Sequence, residues 1–198
     1  MATDLPYPEE LAHDVRLPGG APIHIRPIRA DDEPGLLALF HRLSDTSRYQ
    51  RFFTPIPSLP QTWLHHFANV DYRERLALVA ERPTAGSLDI LAVARYEPEG
   101  MPDIREIAVL VEDQWQTRGL GTVLLDALLR AAEHRGVIRF RAFVLAHNVR
   151  MLALIARLGT VIERSTEQGV VELVFTRTRA TSRRDWPVEP AAGSNQPA

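Results

Sequence analysis

The chain has 198 residues, of which 45% are apolar and 24% are charged, and it holds no cysteine. It contains no uninterrupted run of about 20 apolar residues, so the composition excludes a membrane-spanning protein and most disordered ones. A chain of this length is expected to fold as one domain without disulfide bonds or structural metals. The lack of cysteine also excludes thiolate metal sites and cysteine nucleophiles.

The charges nearly balance, with 23 basic and 25 acidic residues, so nucleic acid is not an expected partner. All 23 of those basic residues are arginine, which excludes a Walker-type phosphate lysine and Schiff-base chemistry. The first residues, Met1 to Asp4, lack the basic and then apolar layout of a secretory signal, and no membrane partner is indicated. We therefore expect a cytoplasmic protein.

The hydrophobic pattern divides the chain into an N-terminal arm over residues 1–20, a folded domain over 21–178 and a flexible C-terminal tail over 179–198. The tail is polar, rich in proline and glycine, and without a periodic apolar face. In chain order the first predicted elements are a strand at 23–28, a helix from Asp31 through Phe40, a loop-rich stretch at 44–60, a helix at 61–69, a hairpin of strands at 76–80 and 88–96, and a strand at 104–111.

The longest predicted helix, at 119–135, carries apolar residues at helical spacing along one face and ends at Gly136. It is followed by a strand at 139–145, a helix at 149–158, and strands at 161–164 and 170–176. A strand, helix and strand thus span residues 104 to 145. The pattern predicts a mixed α/β or α+β domain.

The segment most informative about function is 106–121, EIAVLVEDQWQTRGLG. A strand ends at Val111, a polar turn follows, and Gly119 and Gly121 open the long helix. Main-chain N–H groups of residues 116–121 then point out of the helix N-terminus unpaired, which favours binding of an anion such as a pyrophosphate. The alternative is that the two glycines only permit tight packing of the helix on the sheet.

Two common nucleotide-binding motifs fit this segment poorly. A dinucleotide-binding loop needs a third glycine where Leu124 stands, and it lies early in a parallel sheet. A Walker loop needs a lysine, and the chain has none. The segment is therefore interpreted as a phosphate loop of another kind.

The stretch from Gln116 to Gly121 resembles the Q/R-x-x-G-x-G/A signature of the GNAT superfamily of acyl-CoA-dependent N-acyltransferases. Four further stretches, HIRPIRADD, SRYQRFF, DYRERLALVA and LAHNVRMLALIARLG, are similar to the catalytic domain of bacterial Pat-type protein lysine acetyltransferases. The resemblance covers residues 20 to 178. It implies a mixed, mostly antiparallel central sheet of about six to seven strands, flanked by helices and split between its two central strands.

The resemblance also implies that acetyl-CoA lies across this split as co-substrate and that no metal is needed. The main chain of two valines would pair with the pantetheine arm, and N–H groups of the loop would hold the pyrophosphate. The implied coenzyme-binding residues are Val109, Val111, Gln116, Thr117, Arg118, Gly119, Leu120, Gly121, Thr122 and Asn148.

Glu106 is the candidate general base that takes a proton from the attacking nitrogen, directly or through water. On a strand it shares a face with Ala108 and Leu110, so it is either a carboxylate beside an apolar wall with a raised pKa or a residue where that face reaches solvent. Glu112 and Asp113 are interpreted as turn residues, because acidic residues are common before a helix.

Asn148 stands where the family places an asparagine that contacts the coenzyme, but it also fits an N-cap of the helix that begins at Val149. The tyrosine that often follows seven residues later, and that protonates the departing thiolate, is replaced by Ile155. A tyrosine general acid at that position is therefore excluded.

Arg118 and Arg150 could approach the coenzyme phosphates, but arginine near a helix start is more often solvated. The pair His65-His66 does not indicate a metal site, because adjacent helical histidines diverge by about 100 degrees and no partner stands at ligand spacing. Three aromatic residues either line an acceptor channel or belong to core packing. They are Tyr49, Phe52 and Phe53.

The sequence therefore predicts an acetyl-CoA-dependent N-acetyltransferase that acetylates a primary amine by direct attack, with a protein lysine as the acceptor that the resemblance favours. A small amine or an aminoglycoside is the alternative acceptor. A non-catalytic module that binds acyl-CoA as a sensor or interaction domain is the alternative from a different class. The sequence does not decide whether the protein forms a homodimer.

Overall fold

The computed structural model describes residues 6–84 and 87–178, and its centre is a mixed sheet of eight strands in the order β1-β2-β3-β4-β5-β6-β8-β7. The strands are β1 (His13–Arg16), β2 (Pro22–Pro27), β3 (Leu76–Thr84), β4 (Ser87–Glu99), β5 (Met101–Val111), β6 (Arg139–Leu145), β7 (Gly159–Glu167) and β8 (Val170–Arg177). The helices are α1 (Glu33–Arg42), α2 (Asp45–Phe52), α3 (Gln61–Ala68), α4 (Leu120–His134) and α5 (Val149–Leu158). Short 3₁₀ turns lie at Glu9–Leu11, Ala30–Asp32 and Asp113–Trp115.

Successive apolar side chains of β3 lie on opposite faces of the sheet, and each face has its own hydrophobic core. Leu76 and Leu78 pack in the larger cluster with α4, whereas Ala77 and Val79 pack in a smaller cluster with α1 and α3. Helix α4 contributes a stripe of fully buried leucines to the larger cluster. They are Leu120, Leu124, Leu125, Leu128 and Leu129. No helix of the described ranges is long and apolar enough to cross a membrane.

Neighbouring strands are antiparallel except β5 and β6, which run parallel and share only three register pairs. The last of these pairs joins Glu106 to Arg141. Beyond it, β5 stays paired with β4 as far as Val111 and β6 stays paired with β8 as far as Leu145, but the two strands no longer pair with each other. The sheet is therefore open as a V between its two central strands.

The fold class predicted from the sequence is confirmed, and all seven predicted strands are present. The eighth strand, β1, lies in the segment predicted as an arm, where it pairs with β2 and is followed by the buried Leu17. Helix α2 lies in the stretch predicted to be loop-rich, so that prediction was wrong for residues 45–52. The turn of the β3–β4 hairpin and the tail at 179–198 lie outside the described residues.

Buried Arg26 links β2, β3 and the turn that precedes α1. Its guanidinium donates to both Asp32 carboxylate oxygens at 2.7 Å and to the two Glu81 oxygens at 3.0 and 2.9 Å. Asp32 also accepts from the Arg29 main-chain N–H at 2.7 Å. Because the opposite charges are paired and hydrogen-bonded, they can remain in the interior and fix the start of α1 on the sheet.

Replacing Arg26 with leucine would leave Asp32 and Glu81 buried without their counter-charge. We expect the free energy of unfolding to fall by about 3–5 kcal/mol, as when a buried ion pair is broken from one side, and urea denaturation measures it. Arg130→Leu is the control, because Arg130 is more exposed and its partner Asp126 keeps a second arginine, Arg177. That variant should lose less than about 1 kcal/mol. Equal losses in the two variants would contradict the structural role of Arg26.

Candidate active site

A cavity of about 380 Å³ opens where β5 and β6 diverge. Residues 106–111 of β5 line one side, and Phe143 and Val144 of β6 line the other together with one face of α5. The turn between β5 and α4 closes one end. Most of the site residues predicted from the sequence line this cavity. They are Glu106, Val109, Val111, Gln116, Thr117, Gly119, Gly121, Thr122 and Asn148.

The turn that enters α4 presents main-chain N–H groups that the helix does not use. Thr117 and the N-cap Gly119 have positive φ values of 62° and 89°, and no side chain in the described part of the chain caps this helix. Gly119 accepts the first helical hydrogen bond from Val123 N at 3.1 Å, so the N–H groups of residues 120–122 have no helical acceptor. Such a turn is suited to bind an anion.

Of the two glycines of the turn, only Gly119 is favoured by the backbone conformation. Gly119 has a backbone conformation that side chains disfavour, with φ at +89°. A Cβ at Gly121 would meet Val111 Cγ2 at 3.5 Å and Leu154 Cδ2 at 3.7 Å, which are ordinary contacts. Packing of α4 on the sheet therefore does not itself require glycine at 121. This weighs against the alternative in which both glycines serve only helix packing.

The Gln116 side chain joins the turn to its surroundings. Its Nε2 donates to the Val111 carbonyl at 3.1 Å and to Ser47 Oγ at 3.0 Å, and its Oε1 accepts from Arg150 Nη1 at 3.0 Å. The Val111 carbonyl thus already has one donor. Any main-chain pairing of Val111 with a pantetheine arm must use its N–H group or the second lone pair of its carbonyl.

Two of the nominated residues do not line the cavity. Leu120 is fully buried in the core, so only its main-chain N–H is available at the turn. Arg118 is exposed, and its guanidinium carbon lies 5.4 Å from the centre of the Trp115 ring. It lines a neighbouring cleft together with Arg157, which also reaches the main cavity. The arginines near the turn make this end of the cavity cationic.

Glu106 lies in the last β5–β6 register pair, where the V begins to open. Glu97 on β4 and Arg141 on β6 are directly opposite, so the three side chains share one sheet face. Partial burial raises the pKa of the Glu106 carboxyl above its ordinary value; Arg51 opposes this rise, and Glu99 and Glu97 add to it. A carboxylate of raised pKa beside an open cavity is suited to accept a proton.

Asn148 is the N-cap of α5, and its position also leaves a contact with the coenzyme open. Its Oδ1 caps α5 by accepting from Met151 N at 3.2 Å, and the residue also lines the cavity. Ile155, which replaces the family's tyrosine, is fully buried in the core. Among the described residues that line the cavity, none is a tyrosine.

Helix α2 forms a wall of the cavity that the sequence analysis missed. Ser47, Gln50, Arg51 and the following Phe53 all line it. The signal that could have located this helix is its N-cap, because Ser44 accepts from Ser47 N at 3.2 Å and Asp45 occupies the first turn. Its apolar residues are too few for the periodic pattern on which the other helices were recognised.

The remaining nominated side chains have separate roles. His65 contacts Glu33 and His66 contacts Glu97, so the two imidazoles have different partners. Phe53 lines the cavity. Phe52 instead packs with Phe40, Trp63 and Phe67, and Tyr49 is 40% exposed.

Asp113 ties α2 to the turn that follows β5. Its Oδ2 accepts from Ser44 N at 2.9 Å, and its Oδ1 accepts from Ser44 Oγ at 2.6 Å and from Ser47 Oγ at 2.9 Å. Burial alone would raise the pKa of Asp113, but the hydrogen bonds from the two serines outweigh it and hold that pKa below its ordinary value. The turn and α2 therefore form one hydrogen-bonded unit around the cavity.

A mixed sheet that splits at two parallel strands, with an uncapped turn and helix beside the split, defines the GNAT type of α/β domain. Residues 23–161 match the family model described as the acetyltransferase (GNAT) domain. Because the match covers more than half of the chain, the chain belongs to the GNAT acetyltransferase family.

Named relatives and solved structures agree with this assignment. Acetyltransferase Pat from Mycolicibacterium smegmatis is 32% identical over 158 residues, which are 79% of this chain and 46% of that protein, so the chain spans about half the length of this relative. The GNAT domain of S. lividans PAT is 36% identical with a TM-score of 0.77, over 86% of this chain and 99% of that one. The structure of yncA from Salmonella typhimurium with its cofactor acetyl-CoA shares the fold, at 17% identity and a TM-score of 0.60 over 82% of this chain and 96% of that one.

Replacing Asp113 with asparagine removes the charge that accepts three hydrogen bonds from Ser44 and Ser47. At neutral pH we expect the free energy of unfolding to fall by about 1–2 kcal/mol. This is less than the three hydrogen bonds would contribute in the interior, because the side chain is exposed and solvent screens its charge. The folded-state pKa of Asp113 is lowered, so its contribution is present above the unfolded-state pKa and is lost as the pH falls through the folded-state pKa. The difference between variant and parent should therefore shrink in acid.

Asp45→Asn is the matched control for Asp113→Asn. Asp45 lies at the same end of α2, but its side chain is fully exposed and it has only a 3.6 Å contact with Arg48. Urea denaturation at neutral and acidic pH measures both variants. A pH-independent difference for Asp113→Asn, or an equal effect of Asp45→Asn, would contradict the assigned role.

Proposed function

We propose that this protein is an acetyl-CoA-dependent N-acetyltransferase that transfers acetyl to a primary amine, with protein lysine side chains as the acceptor class. The observation that carries the proposal is the cavity at the split of the sheet, which joins an uncapped, cationic turn at one end to Glu106 at the other. An anionic coenzyme and a reacting amine need these two features in one groove. The acceptor class is supported by the resemblance to Pat-type protein lysine acetyltransferases, with which the similarity to acetyltransferase Pat of Mycolicibacterium smegmatis and to the GNAT domain of S. lividans PAT agrees.

In the proposed complex, the N–H groups of the turn at Gly119, Gly121 and Thr122 hold the coenzyme pyrophosphate. The unpaired edge of β5 beyond Glu106 offers main-chain groups at Val109 and Val111 to the amide-containing pantetheine arm. The structure of yncA, which shares the fold, was solved with acetyl-CoA, and this supports acetyl-CoA as the ligand. Recognition through the main chain tolerates variation of the side chains.

The proposed chemistry is a direct transfer without a covalent enzyme intermediate. The neutral amine nitrogen attacks the thioester carbonyl carbon, the C–N bond forms, and the C–S bond then breaks to release the coenzyme thiolate. Glu106 accepts the proton that the nitrogen loses, directly or through one water. Because no tyrosine lines the described cavity, the thiolate leaves as the anion or takes a proton from water.

Glu106→Gln tests the assignment of the base. The substitution keeps the size of the side chain and removes its ability to accept a proton, so transfer should slow by about two orders of magnitude while acetyl-CoA affinity stays within about threefold. Transfer of labelled acetyl from acetyl-CoA to lysine peptides, small amines and aminoglycosides measures the rate and the acceptor preference. Calorimetry measures the affinity.

Glu163→Gln on the edge strand β7 is the control for Glu106→Gln, because Glu163 lies outside the cavity and should leave the transfer rate unchanged. Retention of the parent rate by Glu106→Gln would refute the base. Failure of the parent protein to label any acceptor, despite binding acetyl-CoA, would support a non-catalytic acyl-CoA-binding module instead.

Gly119→Val tests the placement of the pyrophosphate. A side chain at this N-cap would obstruct the turn and strain its positive φ, so acetyl-CoA affinity should fall about tenfold or more in calorimetry. Gly136→Val is matched for backbone strain, because Gly136 has a φ of +82°. It lies in open space beyond the other end of α4, whereas a Cβ at Gly119 would also meet Pro18 Cδ at 3.3 Å. Parent-like affinity in Gly119→Val, or an equal loss in Gly136→Val, would contradict the placement.

A further inference from the structure

Arg51 and Glu106 line the same cavity as a pair of opposite charges, and neither is paired with another charged group of the described residues. Arg51 lies in the last turn of α2, and Glu106 lies across the cavity on β5. Within the described part of the chain, neither side chain has a hydrogen bond or an ion pair within 4.0 Å. Their charges therefore act on one another across the cavity.

The Arg51 guanidinium is held by aromatic rings rather than by carboxylates. Its central carbon lies 5.1 Å from the centre of the Phe52 ring and 5.8 Å from that of Phe67. Cation–π contacts keep a guanidinium in place without neutralising its charge. Burial lowers the pKa of Arg51, and Glu106 and Glu97 oppose this. The cavity is thus lined by a cation whose charge no carboxylate of the described residues neutralises within 4.0 Å.

The other charged groups near Glu106 are already engaged with one another. On β4, Glu97 pairs with Arg95 and accepts from His66 of α3 at 2.9 Å. Glu99, also on β4, pairs with Arg141 of β6, and Arg141 contacts Glu172 of β8 at 3.1 Å. Arg51 is the cation that α2 adds to this set. Burial raises the pKa of Glu106, and Arg51 is the strongest influence that opposes the rise.

We propose that Arg51 is a positioning residue for proton transfer, which keeps Glu106 ionised at neutral pH and disfavours the proton on an amine that enters between the two charges. The inference rests on the proposed function and deepens it. A nearby cation stabilises a carboxylate and destabilises an ammonium ion. Both effects raise the population of the reactive protonation states, which are an ionised Glu106 and a neutral amine, although the same cation lowers the proton affinity of the carboxylate.

The test is the pH profile of acetyl transfer to a lysine peptide at saturating acetyl-CoA, for the parent, Arg51→Gln and Arg51→Lys. In Arg51→Gln, Glu106 should bind its proton more readily, so the acidic limb of kcat/KM should move to higher pH by about one unit. At alkaline pH the rate should approach that of the parent. Arg51→Lys keeps the charge and should restore most of the parent profile.

Arg48→Gln is the matched control. Arg48 is on the same helix and its guanidinium carbon also lies against an aromatic ring, 4.6 Å from the centre of Phe40, but it does not line the cavity. Its profile should match that of the parent. His66→Gln tests whether that imidazole contributes to the acidic limb. In the double variant of His66→Gln and Arg51→Gln, the acidic limb should still move to higher pH as it does in Arg51→Gln alone.

A second readout does not depend on activity. Carbon-detected NMR of the Glu106 carboxyl in the free protein, assigned by its loss in Glu106→Gln, should show the titration midpoint at higher pH in Arg51→Gln than in the parent. A uniform loss of rate at every pH with an unmoved limb and an unmoved midpoint would overturn the inference and indicate a role in packing or binding.

The outcomes also separate this inference from the proposed function. If Glu106→Gln abolishes transfer but Arg51→Gln moves neither the limb nor the midpoint, only the role of Arg51 fails. If Glu106→Gln keeps both the rate and the acidic limb, the base assignment itself fails, and the role of Arg51 fails with it.

Discussion

The structure depends on the early separation of two parallel strands. After three register pairs, β5 and β6 part while each keeps its antiparallel partner on the other side, β4 and β8 respectively. The sheet therefore remains intact on both sides of the split, and the core clusters beneath it are not interrupted. Main-chain groups along the open edges still require hydrogen-bond partners. A ligand with amide groups can provide them, which is why we propose that the split is the binding groove.

The separation of the strands also explains why the two ends of the cavity carry different chemical groups. At the vertex, the last pair brings charged side chains of three strands onto one face, with Glu106 in the middle. At the open end, the chain leaves β5 and turns into α4 with its first N–H groups free. Asp113 and Gln116 then bind α2 to this turn, so the wall that carries Arg51 and the loop proposed to bind the pyrophosphate are held together.

Much of the architecture could be predicted because it depends on local patterns. The apolar stripe of α4 and the alternation in the strands identified their elements, and the spacing of Gly119 and Gly121 located the turn. Strand β1 was missed because its four residues alternate between exposed and half-buried and contain a single aliphatic side chain, Val15. Helix α2 was missed because capping by Ser44 and contacts with Asp113, rather than an apolar face, hold it in place.

The site was only partly predictable for a related reason. Glu106 and the turn lie on consecutive elements, so one continuous segment of sequence contained them both. Arg51 stands 55 positions before Glu106, and only the fold brings the two to the same cavity. Likewise, the engagement of the Val111 carbonyl by Gln116 and the burial of Leu120 depend on side-chain packing that periodicity does not describe.

The most direct test of the central claim is an amide NMR titration of the protein with acetyl-CoA. The account predicts that the largest shifts fall on the N–H groups of Gly119, Gly121 and Thr122, with a second set on β5 at Val109 and Val111. Shifts confined to other surfaces, with these amides unchanged at saturation, would contradict the claim that the split in the sheet is the coenzyme site.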